Sequence, residues 1–215
     1  MTLTITKRDG TKAPFNADKI NKSIERACHG LRDPISKVIQ IATETRLTLY
    51  DGITTEELDA ATINAALQNA HLGLDFDKIA TRLLLKDIYK KVLGDFDKEE
   101  SHEITSEEFI KLHADHFKQY ILSAVEKKLL DERMAKLFDL DELAAHLKVE
   151  NDELYKYSGL STMLNRYLVK REDGWPLETP QYFWMRVAMG MSLSEKNPTE
   201  RAKKFYEKMS RLEYL

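Results

Sequence analysis

The stretch I5-T-K-R-D-G-T-K-A-P-F-N-A-D-K-I20 decides how the chain begins. Two short runs of extended-type residues flank Asp9-Gly10, and glycine supplies the positive φ that tight hairpin turns need. Strands are therefore expected near 2–7 and 11–15. Asn16 and Asp18 then open an amphipathic helix over 18–29, with Ile20, Ile24 and Ala27 on one face and Gly30 as its stop. Lys7, Arg8, Lys12 and Lys19 are set around that turn and that helix start. A solvated turn explains them simply, since most exposed lysines bind nothing in particular. The alternative is a phosphate cradle, because a helix N-terminus presents unpaired N–H groups and a dipole that favours an anion.

Outward from this point the pattern is helical. A second helix is expected from "DPISKVIQIATETRL", with Asp33 as N-cap and Pro34 in the first helical position. After a turn at Asp51-Gly52, Thr54 and Glu57 form a capping box for a third helix from about residue 55. A fourth carries Ile79, Leu83, Ile88 and Val92 on one face and ends at Gly94. Residues 1–94 thus read as a hairpin plus four helices. The acidic, aperiodic "DFDKEESHE" makes 95–104 the linker. Residues 105–215 read as all-helical, with a capping box at Thr105 and Glu108 and helices near 117–136, 139–147, 178–194 and 198–211. The fold class is mainly α. The last helix leaves Tyr206, Met209, Leu212 and Leu215 to be covered by further polypeptide or a partner.

Composition narrows the function. The 215 residues are 42% hydrophobic and 32% charged, with a net charge of −3, which argues against a general nucleic-acid binder. The single cysteine, Cys28, lies on an apolar stripe and reads as core. It excludes dithiol redox chemistry within the chain and a cysteine-rich zinc site. No apolar run reaches membrane-spanning length and no signal peptide is evident, so a cytoplasmic location without membrane contact is expected. Phosphate-binding, dinucleotide-binding and serine-elbow motifs are absent. His113 and His116, three apart on an expected helix, lack a third ligand at telling spacing. No catalytic residue and no metal site is assigned, and "GWPLETPQYFWMRVAMGM" reads as aromatic core around a helix capped by Thr179 and opened by Pro180.

Three segments, "ITKRDGTKAPFNADKI", "YDGITTEEL" and "RLLLKDIYKKVLG", resemble the ATP-cone found at the N-terminus of many ribonucleotide reductases. "YSGLSTMLNRYLVK", "ETPQYFWMRVAMGMSL" and "RAKKFYEKMSRLEYL" resemble the helical segment that leads into the catalytic barrel of the large chain of class I ribonucleoside-diphosphate reductases. The resemblance spans nearly the whole chain. It implies a regulatory front end that binds ATP as activator or dATP as inhibitor, with Mg²⁺. Lys7 and Arg8 match the family's "KRDG" and Lys7 would meet phosphate. Asn16 would meet the nucleoside end and Lys19 phosphate, while Thr55 and Lys90 match further contact positions. Phe15 and Asp59 stand as further candidates. Three lysines would neutralise most of a triphosphate's charge. The chain departs from some members at Ala13, where they carry glutamate, and at Asp59, where they carry histidine.

The resemblance also implies partners: the barrel-bearing remainder of the large chain, the radical-generating small subunit, and other cones. The family's catalytic cysteines lie beyond the segment matched, so catalysis would need residues outside this chain, as expected for a split gene or a truncation. Two other readings stand beside this one. A stand-alone nucleotide-responsive regulator is opposed by the single cysteine, because repressors with cones carry a cysteine-rich zinc ribbon. The other is a structural helical scaffold with an inert cone.

Overall fold

The computed structural model describes residues 3–7, 9–94 and 106–213. They form two compact units: the described residues up to Asp87 together with Lys156–Ser158, and the others from Ile88 onward. The chain is mainly α, with a small sheet near its N-terminus. The expected linker at 95–104 and the cap at Thr105 lie outside the described residues.

In the first unit, β1 (Thr4–Thr6) pairs antiparallel with β2 (Lys12–Pro14). Lys7 N–H donates to Thr11 O at 2.7 Å and Gly10 N–H to Lys7 O at 2.9 Å, with Gly10 at φ 81°. This is the loop closure that glycine at a positive φ permits. A third strand, β3 (Ile53–Thr54), was not evident from the sequence and pairs parallel with β1, giving the order β2-β1-β3. Its two residues are too few to show alternation. What holds it is Asp51, whose Oδ1 accepts from Thr4 N at 2.8 Å and Thr4 Oγ1 at 2.7 Å. The register sets Ala13, Ile5 and Ile53 in one row across the sheet, with Ile53 buried.

Helix α1 (Ala17–Ala27) buries Ile20, Ile24 and Ala27, the expected face, with Cys28 beside them. Helix α2 (Pro34–Leu47) begins as expected, but Asp33 is not a side-chain cap: it sits at φ 46° and makes no cap hydrogen bond. In that left-handed backbone its carboxylate is not aimed at the first turn. Helix α3 (Thr55–Gln68) has the full capping box, with Thr54 Oγ1 accepting from Glu57 N at 3.1 Å and Glu57 Oε2 accepting from Thr54 N at 2.9 Å. Helix α4 (Leu74–Leu93) buries Ile79, Leu83, Ile88 and Val92, the expected face. Its residues to Asp87 belong to the first unit and those from Ile88 to the second.

The second unit begins with that end of α4 and continues in α5 (Ser106–Glu126), α6 (Arg133–Lys136) and α7 (Leu140–Ala145), then α8 (Tyr157–Arg166) from Gly159 on, α9 (Pro180–Ser192) and α10 (Pro198–Ser210). The helix expected over 117–136 is corrected. Its first half belongs to α5, because His113, Phe117, Tyr120, Ile121 and Ala124 make one unbroken buried stripe. Just past α5, Lys128 takes a φ of 57°. Helix α8 was not anticipated. Thr179 caps α9, its Oγ1 accepting from Tyr182 N at 3.3 Å, and Pro180 opens it. Tyr206 is another correction: it is fully buried and its hydroxyl donates to Gln181 Oε1 at 2.5 Å. Met209 and Leu212 are half-buried, and Leu215 lies outside the described residues.

Two carboxylates are sealed inside this unit. Glu178 accepts from Tyr120 Oη at 2.7 Å, from Val169 N at 2.7 Å and from Arg186 through two bonds of 2.8 Å. A charge that deep is tolerated because every lone pair has a donor. Among the described residues Asp152 has no such cation: Tyr89 Oη and Gln181 Nε2 donate to it, the latter at 2.6 Å. Burial pushes its carboxyl up to about 7, against the pull of those two donors and with the help of Glu153 and Glu150.

Candidate functional site

The strand register brings two of the sequence-derived candidates together. Thr6 is the partner of Thr54 in the parallel β1–β3 pair. Lys7 and Thr55 follow directly on these residues, so both leave the same end of the sheet on neighbouring strands, about 5 Å apart. Lys7 is exposed and Thr55 half-buried. Thr55 Oγ1 is buried and has no hydrogen-bond partner. Such an atom calls for a reason, because a buried hydroxyl normally finds a partner.

The nearby acids are already engaged by the backbone. Asp9 Oδ1 accepts from Thr11 N at 2.9 Å and Thr11 Oγ1 at 2.6 Å, which holds its carboxyl below the usual range. Asp51 is held low in the same way by Thr4. Their charges are thus tied to loop closure. Arg8 lies outside the described residues.

Asn16 and Lys19 form a second group. Asn16 is the N-cap of α1, its Oδ1 accepting from Asp18 N at 2.9 Å. Lys19 is exposed in the first turn of that helix. Phe15, half-buried, donates its N–H to Leu3 O at 2.9 Å and so carries the chain from β2 into α1. Register places this group at the other end of the strands, because Pro14 pairs with Thr4 while Lys12 pairs with Thr6. The two groups are separated by at least the length of β1, about 10 Å. Asp59 is half-buried on α3, one turn beyond Thr55. Lys90, half-buried, is on the turns of α4 that belong to the second unit.

Two basic residues not singled out by the sequence pattern tie α4 to α1. Lys86 Nζ donates to Ser23 Oγ at 2.9 Å, and Arg82 Nη1 donates to Ala27 O at 2.9 Å and His29 O at 2.8 Å. The four-residue spacing of Arg82, Lys86 and Lys90 was the available signal.

Residues 3–91 match the ATP cone domain family, and residues 153–215 match the family described as ribonucleotide reductase, all-alpha domain. The chain is an ATP cone followed by the all-alpha domain of ribonucleotide reductase. It is 33% identical over 211 residues to the ribonucleoside-diphosphate reductase subunit alpha of Chlamydia trachomatis serovar D, covering 98% of this chain and 19% of the relative. The protein of the same description from Helicobacter pylori strain 26695 is 31% identical over 214 residues, covering 99% of this chain and 25% of the relative. That from Chlamydia muridarum is 34% identical over 218 residues, 99% and 19%. The chain therefore spans about a fifth to a quarter of the length of the curated relatives it matches.

The cone match takes in every candidate of both groups and Lys90. The all-alpha match begins at Glu153, next to the buried Asp152, and takes in Glu178 and Arg186. His113 and His116 lie outside both matched spans. His113 is fully buried on α5, its Nε2 2.9 Å from Thr179 Oγ1, and burial pushes its imidazole down to about 3. It is a neutral core residue at ordinary pH. Among the described residues, no cluster of three or more His, Cys, Asp or Glu could hold a metal ion, and no helix is long and apolar enough to cross a membrane.

Proposed function

We propose that this chain is the nucleotide-sensing front end of a ribonucleoside-diphosphate reductase large subunit. Residues 1–94 would be the sensing cone, 95–104 the linker, and 105–215 the helical segment belonging to the catalytic chain. The effector is ATP or dATP, carried with Mg²⁺. The observation that supports this best is Thr55 Oγ1, a buried hydroxyl without a protein partner, beside the basic Lys7. Lys7, Arg8, Lys19 and Lys90 would supply the positive charge, and the capped start of α1 adds N–H groups and its dipole. Asn16 and Phe15 would face the nucleoside end. Asp59 would add an acid where some relatives carry histidine, and Mg²⁺ on the phosphates would offset the repulsion.

Regulation would follow from differential affinity. An effector that binds one assembly better than another shifts the equilibrium by that difference and no more. The assembly partners would be the barrel-bearing remainder of the large chain, the radical-generating small subunit and other cones, in the service of deoxyribonucleotide synthesis. The reductive chemistry belongs to that whole. Cys28 does not serve it: the thiol is fully buried, and burial pushes it up to about 11 against the pull of Lys37 and Arg82.

The test is calorimetric titration of the chain with ATP and with dATP, each with Mg²⁺, beside a Lys7→Ala, Lys19→Ala double variant. Micromolar binding that is lost in the double variant is the expected result. The absence of both heat and thermal shift with either nucleotide would leave an inert cone and end the regulatory reading.

A further inference from the structure

A short 3-10 helix in the second unit, Val149–Leu154, has a single buried residue, and that residue is Asp152. Side-chain hydrogen bonds hold it in place of an apolar face. Just before it, Lys148 N–H donates to Tyr206 Oη at 2.7 Å, and Asn151 Nδ2 donates to Ser210 Oγ at 2.9 Å, both on α10. Asp152 makes the ties to α9, through Gln181 at 2.6 Å, and to the end of α4, through Tyr89. Tyr206 also donates to Gln181 Oε1, so one chain of hydrogen bonds runs from Lys148 through Tyr206, Gln181 and Asp152 to Tyr89. A 3-10 turn has poor backbone hydrogen bonds of its own, and this one depends on that chain.

We propose that Val149–Leu154 is a proton-operated latch on the end of α4, held most firmly when the Asp152 carboxyl carries a proton and loosened when it is ionised. Asp152 is 2% exposed. The groups that face it are Tyr89 from α4, Gln181 from α9, Tyr206 from α10, and Glu150, Glu153 and Tyr155 from its own stretch. None of these is a cation and two are acids, so only neutral donors offset a negative charge there. Open to water, the carboxyl ionises near its ordinary 3.8, while in the closed latch burial pushes it up to about 7. The proton therefore favours closure between those limits. As pH rises from about 4 to about 7 the open form gains up to about tenfold per pH unit, and above that the ratio is flat. Protonation leaves the chain intact, because the carboxyl O–H donates to Tyr89 Oη while Gln181 still donates to Oδ1. The inference is independent of nucleotide binding and touches the effector reading only because the held turn of α4 also carries Lys90.

The experiment is amide hydrogen exchange of the full chain from about pH 5 to about pH 8, read as protection factors, with a urea melt of each protein as the control for folding. The proteins are wild type, Asp152→Asn and Tyr89→Phe. In wild type, protection at Lys148 and Asn151 should fall by up to about tenfold per pH unit to about pH 7 and then level off. Residues 90–93, at the end of α4, should follow in the same direction. Met185, buried in the middle of α9, should stay more protected, because it is exposed only when the whole unit unfolds. Asp152→Asn, neutral at every pH, should keep protection at Lys148 and Asn151 flat. Tyr89→Phe should retain their pH dependence while residues 90–93 lose it. An Asn variant with the wild-type slope overturns the role of Asp152. Lys148 and Asn151 as protected as Met185 at every pH overturn the latch, since the segment would then open only with the rest of the unit. Residues 90–93 that ignore pH in wild type, or still follow it in Tyr89→Phe, overturn the hold on α4.

Discussion

Replacing Asp152 by Asn should make the second unit more stable at neutral pH, by an amount that depends on pH. Asp152 is buried, its two oxygens take hydrogen bonds from Tyr89 and Gln181, and its carboxyl is raised from 3.8 to about 7. The folded form therefore holds a proton that the unfolded chain gives up. Below about pH 4 both states are protonated and there is no penalty. Between about pH 4 and 7 the unfolded state gains from ionising while the folded state does not, so stability falls as pH rises, by about 1.4 kcal/mol per pH unit. Above about 7 the loss is complete, at up to about 4 kcal/mol. Asn keeps the shape, accepts from Gln181 and offers its amide to the Tyr89 oxygen, but cannot ionise. The gap between Asp152→Asn and wild type should therefore be small at pH 4.5, widen to pH 7 and then stay flat. Both tryptophans, Trp175 and Trp184, are in the second unit, so urea unfolding followed by tryptophan fluorescence reads this unit alone. An Asn variant that is less stable than wild type by the same amount at every pH would refute the reasoning. It would mean that the two donors outweigh desolvation and hold Asp152 charged.

Other consequences are simpler to measure. Thr54→Ala removes the side-chain half of the capping box and should cost the first unit about 1 kcal/mol, read as a shift in the urea midpoint followed at first-unit amides. Glu178→Gln leaves Arg186 facing a neutral amide in a largely buried place, and should destabilise the second unit by about 3 kcal/mol; a loss below about 1 kcal/mol would show the pair to be solvated. Cys28, with its thiol pushed up to about 11, should resist a thiol reagent at pH 8 in the native protein and react at once in denaturant. Rapid native labelling would mean that α1 opens locally.

Local chemistry was legible in the sequence, and tertiary pairing was not. Asn16, Thr54 with Glu57, and Thr179 with Pro180 each declare a helix start within four residues, and all three are found in place. Asp33 offered the same signal, but its left-handed backbone turns the carboxylate away, and residue type alone does not encode that choice. The strand Ile53–Thr54 could not be read because its partner is β1, some fifty residues earlier, and two residues carry no period. The exposed finish expected of Tyr206 failed because its hydroxyl meets Gln181, a contact with another helix. In the same way Asp152 and Glu178 look like ordinary surface acids until the fold closes over them. In the candidate site, the residue types near α1 were legible from cap chemistry. That Lys7 and Thr55 leave neighbouring strands together depends on β3, and that Lys86 meets Ser23 depends on how α4 packs on α1.

The most direct measurement is a paired melting and Mg-ATP titration of Thr55→Val against wild type. Valine keeps the branched shape and removes a buried hydroxyl with no protein partner, so the nucleotide-free first unit should melt higher, by roughly 1 kcal/mol of stability. The same change should weaken ATP binding roughly tenfold, since that hydroxyl is then missing where the effector needs it. Gain in stability with loss of affinity is the result predicted for a nucleotide-sensing cone. A Thr55→Val protein that binds Mg-ATP as tightly as wild type would contradict it.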